Sequence, residues 1–138
     1  MSHPTHRIGL SGEYLTASVL SLISDNVLLT PNAGLADLIF EYQDIFYRVQ
    51  VKSKSKQEVH KKNWRFDLRR GSHTKDREYK KGLIDIFALV SLEHRNMVFI
   101  KPHTENQITI IDEHMKNNDA VRNLLDILSS WRLHINTL

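Results

Sequence analysis

Two runs of residues around a two-residue turn constrain this chain more than any other feature. Leu35 to Tyr42 and Ile45 to Ser53 flank Gln43-Asp44 and read as the arms of a β-hairpin. The second arm alternates strictly. Ile45, Tyr47, Val49 and Val51 share one face; Phe46, Arg48, Gln50 and Lys52 share the other. Asp37 lies near the start of the first arm, with twelve residues between it and Gln50. A carboxylate, an amide oxygen and an ammonium are therefore expected to converge at one edge of a sheet.

Other segments supply partners for that hairpin. Ser11 to Ser24 has helical spacing, with Ser11 as a candidate N-cap and Asp25-Asn26 as a stop. Leu15, Ala17, Val19, Leu20, Leu22 and Ile23 form its apolar arc, opposite Tyr14, Ser18 and Ser21. Glu13 falls inside that arc, in a predicted first turn where the helix dipole would keep its carboxylate ionised. Val27 to Thr30 reads as a short strand followed by a turn at Pro31 to Gly34. Trp64, Phe66 and Leu68 alternate with Arg65, Asp67 and Arg69, as in a strand with a charged outer face. Leu83 to Ser91 is nearly all apolar apart from Asp85, which suits a central buried strand. A turn at Glu93 to Asn96 leads into a strand at Met97 to Ile100, and Ile108 to Ile111 suits an edge strand. A closing helix follows Asn118-Asp119, with Val121, Leu124, Leu125, Leu128 and Trp131 at helical spacing. Loops are expected at Lys52 to Lys56 and Arg70 to Lys81. The sum is one domain over residues 1–138: an α/β fold with one mixed β-sheet flanked by an N-terminal and a C-terminal helix.

Charge narrows the partner. The formal net charge is +3, yet Arg48 to Lys81 holds thirteen basic and four acidic residues, against six and twelve elsewhere. A basic block on an acidic body predicts a polyanion-binding face. Candidate phosphate contacts are Lys54, Lys56, Lys61, Lys62, Arg65, Arg69, Arg70, Lys75, Arg77, Lys80 and Lys81. Zero cysteines exclude disulfides and thiolate zinc sites and fit a reducing, cytoplasmic setting. No apolar run reaches the roughly 18 residues of a membrane span, and the N-terminus lacks a signal-peptide core.

The convergent side chains suit one chemistry. Phosphodiester hydrolysis uses a cation that lowers the pKa of water and polarises the phosphate, together with a positive group facing the growing charge. Magnesium takes oxygen ligands and needs only one or two from the protein. Asp37, the Gln50 amide and the Val51 carbonyl offer those ligands, Lys52 offers the positive group, and Glu13 offers a further carboxylate for metal or water. Each residue also has an ordinary explanation: a surface lysine, a structural amide, a turn-capping aspartate, a helix-dipole glutamate. Asp85 needs a partner in its apolar strand and is read as structural. Glu93-His94-Arg95-Asn96 and Asp112-Glu113-His114 lack a second histidine at ligand spacing, and turn chemistry accounts for the first.

Taken in order, helical Glu13, Asp37 at a strand start and the Gln50-Val51-Lys52 triplet resemble the PD-(D/E)XK nuclease superfamily. Phe46 to Lys52 and Gly82 to Ala88 look like the same group, and the resemblance runs from about Gly9 to Pro102. Within it, the small size and the Gln-x-Lys variant look most like homing endonucleases of cyanobacterial introns or phages. The resemblance implies a restriction-endonuclease-like α/β/α core and magnesium-dependent cutting of double-stranded DNA, with manganese as a substitute metal. It implies a homo-oligomer, a dimer or a tetramer, and it assigns catalysis to Glu13, Asp37, Gln50 and Lys52. Two departures stand out: Ala36 where the motif has proline, and Gln50 where it usually has an acid. A four-way-junction resolvase would keep the same site. A non-catalytic DNA-binding protein on this fold would have lost its acidic ligand at Gln50.

Overall fold

The computed structural model describes residues 4–30, 36–57, 62–69, 83–102 and 105–137. The helix α1 (Pro4–Leu20) precedes five strands, β1 (Val27–Leu29), β2 (Leu38–Tyr42), β3 (Ile45–Lys54), β4 (Asn63–Asp67) and β5 (Ile86–Ser91). After them come β6 (Asn96–Ile100), β7 (Gln107–Ile111), the short helix α2 (Asp112–Asn117) and α3 (Ala120–Thr137). Five strands form a mixed sheet in the order β1-β2-β3-β5-β6, in which only β3 and β5 run parallel.

The hairpin turns as its sequence predicts. Gln43 and Asp44 both have positive φ, at 50° and 69°, which matches the twist of a two-residue hairpin loop. On β3, Tyr47, Val49 and Val51 are buried while Phe46 is 61% exposed, so the two faces divide as the alternation requires. Every residue of β5 is buried because both its faces are covered. Ile86, Ala88 and Val90 join Leu20 of α1 and Leu124 and Leu128 of α3 in one core. Phe87 and Leu89 join Trp64, Phe66, Ile110 and Met115 in a second, on the other side of the sheet. Helices α1 and α3 thus line one face, and β4, β7 and α2 line the other.

Several boundaries differ from the sequence reading. The first helix spans Pro4–Leu20 rather than Ser11 to Ser24, because proline suits a first helical position and starts it about two turns earlier. Ser11 is therefore an exposed mid-helix residue, and Leu22, left in the turn that follows, is 71% exposed instead of joining the apolar arc. β4 and β7 pair only with each other, in a separate two-stranded sheet. Helix α2 was not anticipated, and β3 continues through Lys54, where the sequence suggests a loop. The expected turn at Pro31 to Gly34 and loop at Arg70 to Lys81 lie outside the described residues.

Gly12 governs how α1 meets the sheet. A glycine inside a helix costs about 1 kcal/mol relative to alanine. Here a Cβ would collide with the Ser53 side chain, whose own Cβ lies 2.8 Å away, and would touch Val51. The helix crosses β3 at this bare position, and that close crossing carries the next residue, Glu13, to the strand. Among the described residues no helix is long and apolar enough to cross a membrane.

Candidate nuclease-type site

The site forms where β2 stops and β3 runs on. Leu38 opposite Val49 is the last rung between the two strands, and the Asp37 N–H donates to the Val49 carbonyl at 2.9 Å. Among the described residues, no strand lies beside the edge of β3 beyond that rung. The Asp37 side chain fills the gap: its Oδ2 accepts the Val51 N–H at 2.8 Å. Strand geometry turns the Val51 carbonyl toward the same open edge as its N–H.

Gln50 and Lys52 are half-buried on the face of β3 opposite Val49 and Val51. The Gln50 Oε1 atom is buried and has no hydrogen-bond partner among the described residues. An acceptor desolvated in this way costs roughly 1–3 kcal/mol until something donates to it. The Lys52 ammonium donates to the Arg69 carbonyl at 2.6 Å.

Both carboxylates are out of balance. Burial pushes the Glu13 pKa up to about 7, and the negative charge of Asp37 adds to the rise. Burial raises Asp37 as well, against the opposing pull of the Val51 N–H and the Lys52 charge. The dipole expected to keep Glu13 ionised does not act, because the early start of α1 places Glu13 in mid-helix, away from either end. Asp37 is thus the link: Glu13 and Lys52 both interact with it electrostatically, and Gln50 lies on the β3 face that carries Lys52. An all-oxygen donor set with excess negative charge and an unfilled acceptor fits a hard divalent cation. It is not a histidine or three-carboxylate cage; no such cluster forms among the described residues.

The predicted phosphate contacts divide. Lys54 ends β3, Lys56 just after it and Lys62 just before β4 are exposed, and Arg65 is exposed on β4. Arg69 is engaged with Asp67, its Nη2 lying 2.8 Å from Oδ2. Lys61, Arg70, Lys75, Arg77, Lys80 and Lys81 lie outside the described residues. Asp85 has the structural partner it needs: its Oδ2 accepts the Arg48 N–H at 2.8 Å and faces the Arg48 guanidinium at 3.1 Å. His94 lies in its turn, but its Nε2 also meets Asp112 Oδ1 at 2.7 Å, and Trp64 donates to the same oxygen at 2.9 Å. Sequence reasoning missed that cluster, the Gly12 crossing and the Arg69 carbonyl on Lys52. A glycine inside a helical pattern was the one visible signal among the three.

No protein-family model matches the chain, and no curated protein matches it. Its fold does match that of a solved structure, a bacterial homing endonuclease, I-Ssp6803I. The chain has the fold of a homing endonuclease. The likeness covers 100% of both chains, with a TM-score of 0.67 and 19% sequence identity.

Proposed function

We propose that this chain is a cytoplasmic, magnesium-dependent endonuclease that cuts double-stranded DNA at specific sites, in the manner of a homing endonuclease. One observation carries the reading: two carboxylates of raised pKa, Glu13 and Asp37, meet at the edge of β3 past its last rung with β2, and Lys52 is among the charges that act on Asp37. A structural polar cluster would have paired those groups internally. The homing-endonuclease fold and the basic block from Arg48 to Lys81 support the same reading.

Asp37, Gln50 and the Val51 carbonyl would hold the cation, with Glu13 beside them. When bound there, magnesium, or manganese in its place, would supply a water of lowered pKa and a charge that polarises the phosphate. Glu13, with its pKa near 7, is poised to take a proton from the attacking water at physiological pH. The Asp37–Val51 hydrogen bond fixes the first ligand to the strand that carries the other two. Lys52 faces the phosphate oxygens as negative charge grows on them. In-line attack leaves a 5′-phosphate and a 3′-hydroxyl. A chain with one such site must pair with itself to cut both strands, so a dimer or a tetramer is expected.

The test is nicking and linearisation of supercoiled plasmid with magnesium, with manganese and with EDTA. Lys52→Ala should abolish cutting while DNA binding survives. Wild-type protein that binds DNA and never nicks it would instead be a non-catalytic binder on this fold, and preference for a four-way junction over linear duplex would make it a resolvase.

A further inference from the structure

Lys52 projects from β3, in the five-stranded sheet, to the end of β4, in the other. Its Nζ lies 2.6 Å from the Arg69 carbonyl oxygen, two residues past the last residue of β4. The chain leading to that carbonyl is held at two points. On one side Leu68 is buried in the second core, and its N–H donates to the Asn106 carbonyl at 2.8 Å. On the other, Asp67 takes three donors from Arg69. Its Oδ1 accepts the Arg69 backbone N–H at 2.9 Å and Nε at 3.0 Å, and its Oδ2 accepts Nη2 at 2.8 Å. The first of these is an Asx-turn, which sets the direction of the following peptide. The other two form a planar, bidentate fork that locks the side chain to the same carboxylate.

We propose that Asp67 is a positioning residue for Lys52, acting through the main chain of Arg69; the proposal rests on the nuclease reading above. A lysine ammonium rides on four rotatable bonds and, left alone, samples many positions. Held at its tip by a fixed carbonyl, it is placed at the open edge of β3 before substrate arrives, and less freedom is lost when phosphate binds. The arrangement gives β4 a second duty. The strand whose outer face carries Arg65 toward DNA also sets the position of the catalytic cation, so disturbance at its end reaches the site without touching any ligand.

Two variants test this. Asp67→Ala removes the turn and the fork; Asp67→Asn keeps an acceptor for the Arg69 N–H and loses the charge that holds the guanidinium. In single-turnover cleavage of saturating DNA, Asp67→Ala should lower the rate by about 10- to 100-fold and Asp67→Asn by less, as expected for misplacing a reacting group by about an ångström. DNA affinity should stay the same or tighten, since a negative charge is gone from the basic face. Separately, the Lys52 side-chain ammonium should give a water-protected NMR signal in the free wild-type chain that weakens in Asp67→Asn and vanishes in Asp67→Ala, with circular dichroism unchanged. Rates within twofold of wild type in both variants would overturn the proposal and leave Asp67 as a simple brake on Arg69. So would an ammonium signal that does not change. A wild-type chain that cuts nothing, yet loses ammonium protection on Asp67→Ala, would keep the positioning role and remove the nuclease reading alone.

Discussion

Two aspartates use the same device on the same strand and end in opposite states. Asp85 and Asp37 each sit just before a strand that flanks β3, and each Oδ2 accepts a β3 backbone N–H at 2.8 Å, from Arg48 and from Val51 respectively. Asp85 also has the Arg48 guanidinium at 3.1 Å, so its charge is answered within the chain. Asp37 has Glu13 as its electrostatic neighbour, and burial raises its pKa although Lys52 pulls the other way. A carboxylate that completes a strand edge and is then neutralised is structural. One that completes the edge and keeps an unmet demand for positive charge is the one proposed to receive a cation.

The largest expected effect breaks the pair apart. Asp37→Asn should cut DNA cleavage by at least about a thousandfold, while thermal stability stays level, because the amide still accepts the Val51 N–H. Asp85→Ala should do the reverse. Cleavage below the melting transition should hold within a few-fold, and stability should fall by about 1.5 kcal/mol. That is the low end for hydrogen bonds to a charged group, since Arg48 is 40% exposed. Parallel plasmid assays and denaturant melts read both values. Equal loss of cleavage in the two variants would erase the distinction.

Cation binding sharpens the comparison. If the site takes magnesium, wild-type protein should gain about 2.7 kcal/mol at a hundredfold excess over Kd, and Asp37→Asn should gain almost none. Gln50→Glu replaces the amide with a third carboxylate. It should lower the melting temperature in EDTA and enlarge the magnesium-induced rise, as scanning calorimetry with and without the ion will show.

Much of this architecture was legible in the chain because local and global preferences agree there. The strict alternation of Ile45 to Lys52 and the turn pair Gln43-Asp44 dictate the hairpin, and the apolar run ending at Ser91 dictates a strand covered on both faces. What escaped was tertiary. That β4 leaves the main sheet for β7 is decided by which face needs covering, and Trp64 and Phe66 bury equally well in either place. Asp112-Glu113-His114 lacks a second histidine at ligand spacing and so pointed to no partner; the pairing of Asp112 with His94 and Trp64 depends on three elements meeting, and those hydrogen bonds hold its pKa below the usual range. Of the site, the residue types and their strand faces were readable. The charge state was not, because the raised pKa of Glu13 follows from burial and from Asp37 rather than from its place in the helix.

Packing supplies a smaller effect. Gly12→Ala gains about 1 kcal/mol of helix propensity, but its methyl must displace Ser53. Overpacking of this kind typically costs about 1–3 kcal/mol, so a net loss is expected, together with a fall in cleavage as Glu13 is pushed from the edge of β3. Ser53→Gly in the same chain should recover part of both. Recovery of stability without cleavage would show that α1 holds the fold but does not place Glu13.

The mildest effect is on pH dependence, and it follows the two carboxylates at the edge of β3. With EDTA present, Glu13 binds its proton more tightly in the folded chain, at about 7, than its ordinary value of 4.5. Folding is therefore favoured while the group is protonated in both states, below about 4.5, and that advantage is lost as pH rises through 7. Asp37, also raised by burial, acts in the same direction. Melting temperature should fall gently from pH 5 to 8, and Glu13→Gln should flatten the slope. Saturating magnesium should flatten or invert it, because a bound cation favours the ionised carboxylates. A slope that persists unchanged in both Glu13→Gln and magnesium would mean that the charge imbalance at the edge of β3 lies elsewhere.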